Sequence, residues 1–393
     1  MNMNRILYII FFALTLIIMS CKKPYYPPHI TPVTGFLVVE GVINAGNDST
    51  RFELSRTVNL DSSTVAPVIN AVVTIEGSNN ISYPLTDNAA GIYTSAPLNL
   101  NQSLTYRLHI ITASGEDYKS DYVGVKVTPP IDSVSYQIKS NGLQINLDTH
   151  DPANDTRYYR WDFVETWKFH SMYDSQDVSN GDTVLLRTLS QDVYFCYDSG
   201  NSNSILLGSS AKLTKDVISQ APITFISSNS EKIETEYSIL VNQYALTSDA
   251  YSFWQVLKND TELLGSIFDV QPSEISGNIH STSNPNEHVI GYVSASTVQT
   301  KRIFVYNTSL PLTWKTTYPY TCELDSELFE KNINGTTVFE EDIAFNRNKG
   351  GGNMIPVEPI LNKMGSIIGH MGSDPYCVDC SLRGTLKQPS FWK

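Results

Sequence analysis

The chain has 393 residues, 40 of them acidic and 27 basic, for a formal net charge of −13 at pH 7. An acidic excess of that size argues against nucleic acid as a partner, because phosphate backbones demand the opposite charge. With 41% apolar residues there is ample material for a core, so disorder is excluded as the default state and the length suggests two domains, or three at most.

The opening MNMNRILYIIFFALTLIIMSC places Arg5 before an apolar run from Ile6 to Met19 that ends at Ser20 and Cys21. A basic residue followed by a run shorter than the roughly 20 residues that span a bilayer reads as a secretory signal peptide over residues 1–20. The order Ile18, Met19, Ser20, Cys21 resembles a lipobox, which makes Cys21 the acylated first residue of the mature chain and its lipid anchor. Each methylene buried by the acyl chains adds about 0.8 kcal/mol, enough in sum to hold a protein body on a membrane. Loss of Arg5 leaves 26 basic and 40 acidic residues in the mature chain. Residues 21–34 contain KKPYYPPHITPVT, whose prolines disfavour helix and whose polar groups have nothing to pack. This tether extends about 3.1 Å per residue and sets the body roughly 40 Å from the lipid.

Strand-like segments then come in quick succession: GFLVVEGVI at 35–43, TRFELSRTV at 50–58, AVVTIEG at 71–77, SYPLT at 82–86, LTYRLHIIT at 104–112 and DYKSDYVGVKV at 117–127. Each alternates apolar and polar residues between Gly, Asn, Asp or Pro, with no helical pattern between them. Residues 35–128 are therefore predicted to form an N-terminal antiparallel β-sandwich, Ig-like or transthyretin-like; the run PVINAVVTIEG resembles strands of transthyretin-like and carboxypeptidase-regulatory modules.

Thr128, Pro129 and Pro130 break the strand pattern, and a new alternating run, IDSVSYQI, follows. Residues 129–393 are predicted to form a larger, mostly antiparallel β domain carrying one prominent helix at 248–264. Thr247 suits the N-cap, Asp249 the first turn, and Gly265 the stop. Ala250, Phe253, Trp254, Leu257 and Leu264 share one face, with Trp254 expected to carry the heaviest burial. The most marked strand, 158–169, puts Tyr159, Trp161, Phe163, Trp167 and Phe169 on one face and Arg160, Asp162, Thr166 and Lys168 on the other. Such an aromatic row forms either a core or a platform on which a ligand stacks, which makes Trp161 and Trp167 candidate ligand contacts. Glu165, on the aromatic face, requires a partner or a bulge.

Cys196, Cys322, Cys377 and Cys380 are disulfide candidates in an exported protein, and the sequence allows three pairings. A zinc site at CVDC with His370 and Asp374 is the rival, but it lacks a second ligand pair, so no metal is predicted. Asp148, Asp151, Asn154 and Asp155 put oxygen ligands in one turn without EF-hand spacing, and Asx-rich turns need no ion to explain them. His280, His288 and His370 are isolated, and the triglycine 350–352 lacks the lysine–threonine ending of a phosphate loop. No GxSxG, HExxH, P-loop or GxGxxG occurs, so the sequence predicts no catalytic residue and no cofactor and favours a non-enzymatic role.

Several blocks carry a family resemblance: the lipobox, GFLVVEGVI, RYYRWDFVETWKF, YSILVNQYALTSDAYSFWQVLKN, GSIFDVQPSEISGNI, HVIGYVSAS, KRIFVY and the closing CVDCSLRGTLKQPSFW. Together they resemble the domain of unknown function 4249 family, exported lipoproteins of Bacteroidota often encoded beside TonB-dependent outer-membrane transporters, with no assigned catalytic residues. The resemblance implies an outer-membrane, lipid-anchored accessory whose partner is such a transporter or the solute it imports. Lys22 and Lys23 follow the anchor where surface-export signals of this phylum tend to be acidic, which leaves open whether the protein faces the cell surface or the periplasm. The alternatives are a hydrolase acting on glycan or peptide without a recognisable motif, and a structural envelope lipoprotein.

Overall fold

The computed structural model describes residues 35–59, 66–262 and 277–392. The signal peptide, Cys21, the tether and the expected helix end at Leu264 and Gly265 lie outside the described residues. The protein is mainly β, and its sheets fall into three groups.

The first group closes on itself. The strands Thr105–Ile111, Val72–Gly77, Ser82–Asp87, Ile92–Thr94, Arg51–Arg56 and Leu37–Asn44 pair in that order, all antiparallel. Leu37–Asn44 then pairs in parallel with Ala295–Ser296, which pairs in parallel with Val123–Lys126, which returns to Thr105–Ile111. The result is a closed eight-stranded barrel in place of the predicted sandwich. Closure abolishes the exposed edges that two facing sheets would leave. Alternation explains the interior: Val73 and Ile75, and Tyr106, Leu108 and Ile110, point inward and are buried. The barrel is not a continuous stretch of chain, because Ala295–Ser296 fills the gap in its wall and Ile279–Ser281 and Val289–Ile290 add to its sheet. Backbone approach is tight there: a Cβ on Gly291, at φ +143°, would sit 2.3 Å from the Val39 carbonyl oxygen.

The two-sheet sandwich instead lies in the second group. Ile131–Lys139, Gly142–His150 and Val217–Ser227 form one antiparallel sheet. Phe195–Asn201, Tyr158–His170, Glu236–Leu246 and Val298–Tyr306 form the other, and Leu206–Ser209 pairs beside them. Leu143, Ile145 and Leu147 from the first pack on Tyr159, Trp161, Phe163, Ile239 and Val241 from the second. The junction with the barrel is hydrogen-bonded: the Thr128 amide donates to Thr297 Oγ1 at 2.9 Å, and Gln243 Nε2 donates to the Pro129 carbonyl at 2.8 Å.

The helix Ser248–Glu262 starts where expected, with Thr247 Oγ1 accepting the Ala250 amide at 3.2 Å. Ala250 and Phe253 are its buried residues, whereas Trp254 is only half-buried. The expectation that Trp254 carries the heaviest burial is thus corrected: the helix seats Phe253 near Tyr292, with ring centroids 5.4 Å apart, and turns Trp254 toward the space between barrel and sandwich.

The third group is a C-terminal module: the sheet Asp325–Leu328, Ile367–Ser373, Ile355–Leu361, a hairpin Lys331–Ile333 with Thr336–Val338, and the short helices Glu340–Phe345 and Pro375–Val378. Two disulfides hold it, Cys322–Cys377 within the module and Cys196–Cys380 to the sandwich strand Phe195–Asn201. Of the three pairings open to the sequence, this one joins neither cysteine of CVDC to the other.

Candidate functional site

The barrel and the sandwich bound a cleft of roughly 730 Å³. One wall is the outward face of Leu37–Asn44, where Val39 and Ile43 point into the barrel and Glu40 and Val42 point away, joined by Asp48 and Arg51. The opposite wall is the outward face of the sandwich. Along Tyr158–His170 the aromatic residues turn inward, so Arg160, Asp162 and Val164 turn out.

Register assembles the sandwich wall in rows. Arg160 stands opposite Tyr244, and Tyr244 opposite Val298; Asp162 stands opposite Asn242, and Asn242 opposite Thr300. In the first row the Arg160 guanidinium lies between two rings, 4.7 Å from the centroid of Tyr244 and 4.4 Å from that of Trp254. In the second row Asn242 Nδ2 donates to Asp162 Oδ1 at 2.7 Å, and Arg160 Nη2 meets Asp162 Oδ2 at 3.4 Å. The loop Asn201–Ile205 forms one end of the cleft and is tied to the helix by Lys258 Nζ, which donates to the Ile205 carbonyl at 2.7 Å.

Electrostatics follow from this crowding. Lost solvation, and then the charge of Glu53, raise the Glu40 carboxyl above the usual carboxylate range, while Arg160 and Arg51 draw it back. Burial, and then the negative charge of Asp162, push the Tyr244 hydroxyl up, so it stays a protonated donor at neutral pH. Arg51 is bridged to Glu53 at 3.0 Å and Arg160 to Asp162, which leaves the carboxylates of Glu40 and Asp48 without a bridging cation among the described residues.

The residues singled out from sequence are placed differently. Trp161 and Trp167 are 2% and 9% exposed, so neither ring offers a stacking platform; their faces complete the sandwich core, and Trp161 Nε1 donates to Gln243 Oε1 at 2.8 Å. Glu165 has its partners, Lys232 Nζ and the Tyr237 hydroxyl at 3.0 Å, and the strand runs through it without a bulge. Asp151 accepts the amides of Ala153, Asp155 and Thr156, while Asp148 accepts from Ser133, Ser219 and Gln220, so the acidic turn is two separate caps. Cys377 and Cys380 are oxidised with other partners, which removes the thiolates a zinc site would need. His280 lies 3.4 Å from Asp121, His288 edge-on to Phe36, and His370 in hydrogen bond with Glu341 at 2.8 Å. Gly350 ends a short helical turn at φ +82°.

Glu40, Arg160, Asp162, Asn242, Tyr244 and Trp254 are the functional candidates that sequence reasoning missed. One signal was available: the face opposite an aromatic core row carries Arg160 and Asp162 two residues apart. What that face meets depends on strands far away in the chain.

None of the curated proteins matches the sequence. Among solved structures, one from Bacteroides uniformis ATCC 8492, described as a "putative carbohydrate binding protein", is similar at 10% identity over 54% of this chain and 90% of its own. Its TM-score of 0.13 is too low for that likeness to bear on fold or ligand. The family model described as a domain of unknown function, DUF4249, matches residues 23–302, which takes in the barrel and most of the sandwich and stops before the C-terminal module. By that match, over more than half its length, the chain belongs to the DUF4249 family.

Proposed function

We propose that this protein is a lipid-anchored envelope accessory, held on the outer membrane through Cys21, which binds a solute in the barrel–sandwich cleft and serves a TonB-dependent transporter. The observation that carries the reading is the cleft itself: roughly 730 Å³, walled by two different sheets and lined by an aromatic–guanidinium pair of contacts beside polar groups. Its size lies within the range of small-molecule sites, about 300–1,000 Å³. The lipobox at residues 18–21 and the proline tether support the anchored placement, since the body could then swing over a neighbour in the membrane. Tagged protein purified in mild detergent from cells expressing the neighbouring genes is expected to bring down a transporter-sized β-barrel. Recovery of no such protein overturns the transporter partnership and favours a structural envelope role.

One observation favours a second reading, a hydrolase of glycan or peptide. Glycosidases use a pair of carboxyl groups, and Glu40 and Asp162 line the same cleft, with the proton affinity of Glu40 raised by lost solvation. Release of new reducing ends or peptide termini by the parent, abolished in Glu40→Gln, would establish it.

A further inference from the structure

We infer that the solute of this cleft is a neutral oligosaccharide, an inference that rests on the cleft being a binding site. Three features of the lining decide the class. Charge comes first: with Arg51 bridged to Glu53 and Arg160 to Asp162, the unbridged charges among the described lining residues are the carboxylates of Glu40 and Asp48, which repel an anionic ligand. Aromatic occupancy comes second. Tyr244 and Trp254 would suit a ligand cation, but the protein's own guanidinium already fills the space between them, so no empty aromatic cage remains for an ammonium group. What is left to a ligand is the part of the half-buried Tyr244 and Trp254 rings that the guanidinium does not cover. Third, that surface is bordered by short neutral hydrogen-bonding groups: Asn201, Asn203, Ser204 and Thr300, all exposed, with Asn242 in the wall.

A pyranose ring matches this arrangement. Its C–H face packs on a flat aromatic surface, and its hydroxyl rim needs many neutral donors and acceptors along with planar groups such as the Asp162 carboxylate and the Asn242 amide. The volume of the cleft, roughly 730 Å³, suits several linked rings better than one.

Titration calorimetry and tryptophan fluorescence on the full mature chain, with a panel of neutral tetrasaccharides of α- and β-linked glucose, mannose, galactose and xylose, test this directly. At least one is expected to bind at one per chain. Trp254→Ala is expected to weaken it about tenfold or more, the loss of roughly 1.4 kcal/mol. Thr300→Trp, which fills the cleft from an exposed strand position and removes no packing, is expected to do the same, which keeps the test valid if the first variant folds poorly. Met364→Ala, on the exposed hairpin tip of the C-terminal module, is the control expected to change nothing. Tighter binding of oligogalacturonate or of a chitosan oligomer than of every neutral sugar overturns the inference. So does binding indifferent to Thr300→Trp, or no binding across the neutral panel. A charged oligosaccharide displaced by Thr300→Trp would overturn the neutral class while leaving the cleft as the binding site.

Discussion

Among the described residues the barrel buries twenty-one apolar side chains around one centre and contains no cystine, whereas the C-terminal module buries five, Ala344, Phe345, Val357, Cys377 and Val378, and is closed by two cystines. The difference follows from surface and volume. A closed sheet satisfies its own backbone edges and fills its interior, while a short three-stranded sheet cannot bury enough area to offset its chain entropy and must be cross-linked. The barrel is therefore expected to fold on hydrophobic burial alone and the module to depend on oxidation.

The sharpest way to break that contrast is to remove the cystines. In the chain-entropy picture the Cys322–Cys377 loop of 55 residues contributes about 4 kcal/mol and the Cys196–Cys380 loop of 184 about 5 kcal/mol. Cys322→Ala with Cys377→Ala is expected to release the module to protease within residues 323–373 while barrel amides keep their hydrogen-exchange protection. Equal loss of protection in both regions would show that the barrel also leans on the cystines.

A smaller effect is expected from the converse experiment on the barrel. At Gly291 an added Cβ would press on the Val39 carbonyl with the backbone held at φ +143°, so Gly291→Ala forces the strand that fills the wall to move. A loss of about 3 kcal/mol is expected, in line with combined strain and overpacking, read as a lower melting temperature of the barrel with the module unchanged. A melting curve like that of the parent would mean that the segment around Ala295–Ser296 is not needed for closure.

The smallest effect sharpens the account of the module, to which the hairpin Asp177–Ser179 with Val184–Leu186 is joined by the Gln176 amide donating to the Val357 carbonyl at 2.8 Å. Asp177 is 3% exposed, its Oδ2 has no hydrogen-bond partner among the described residues, and it lies 3.9 Å from His370 Nε2. Burial raises its carboxyl above the usual range, with the charge of His370 and then of Arg187 opposing. A carboxyl raised on folding contributes stability that is fully present below its unfolded value of about 3.9 and is lost as pH rises through the higher folded value. Module stability should thus decline upward from about pH 4. Asp177→Asn is expected to flatten that decline and to gain about 1 kcal/mol at pH 7. Denaturant melts across pH would check it; a variant less stable than the parent at pH 7 would show that the buried carboxylate is paired with His370 to net benefit.

Much of this molecule was legible as local pattern. Alternation located six of the eight barrel strands, missing the three residues Ile92–Thr94 as well as Ala295–Ser296, and assigned the faces of Tyr158–His170; Thr247 marked the helix start, and four cysteines behind an expected export signal pointed to two cystines. The helix Glu340–Phe345 escaped notice because six residues are too few to show a period, although three acids in its first turn were a sign. By itself, then, the sequence determined which residues are extended and which side of each strand is apolar, because a period of two is a property of neighbours along the chain. Only the tertiary structure decided that the sheet closes, through the two residues Ala295 and Ser296, too short a run to carry any pattern. The same holds for the cleft: Glu40 and Asp162 lie on strands of different sheets, and Arg160 meets Tyr244 only through the register of Tyr158–His170 against Glu236–Leu246. Alternation says which way a side chain points and nothing of what stands across from it; that is set by long-range pairing and by which apolar faces can be buried together.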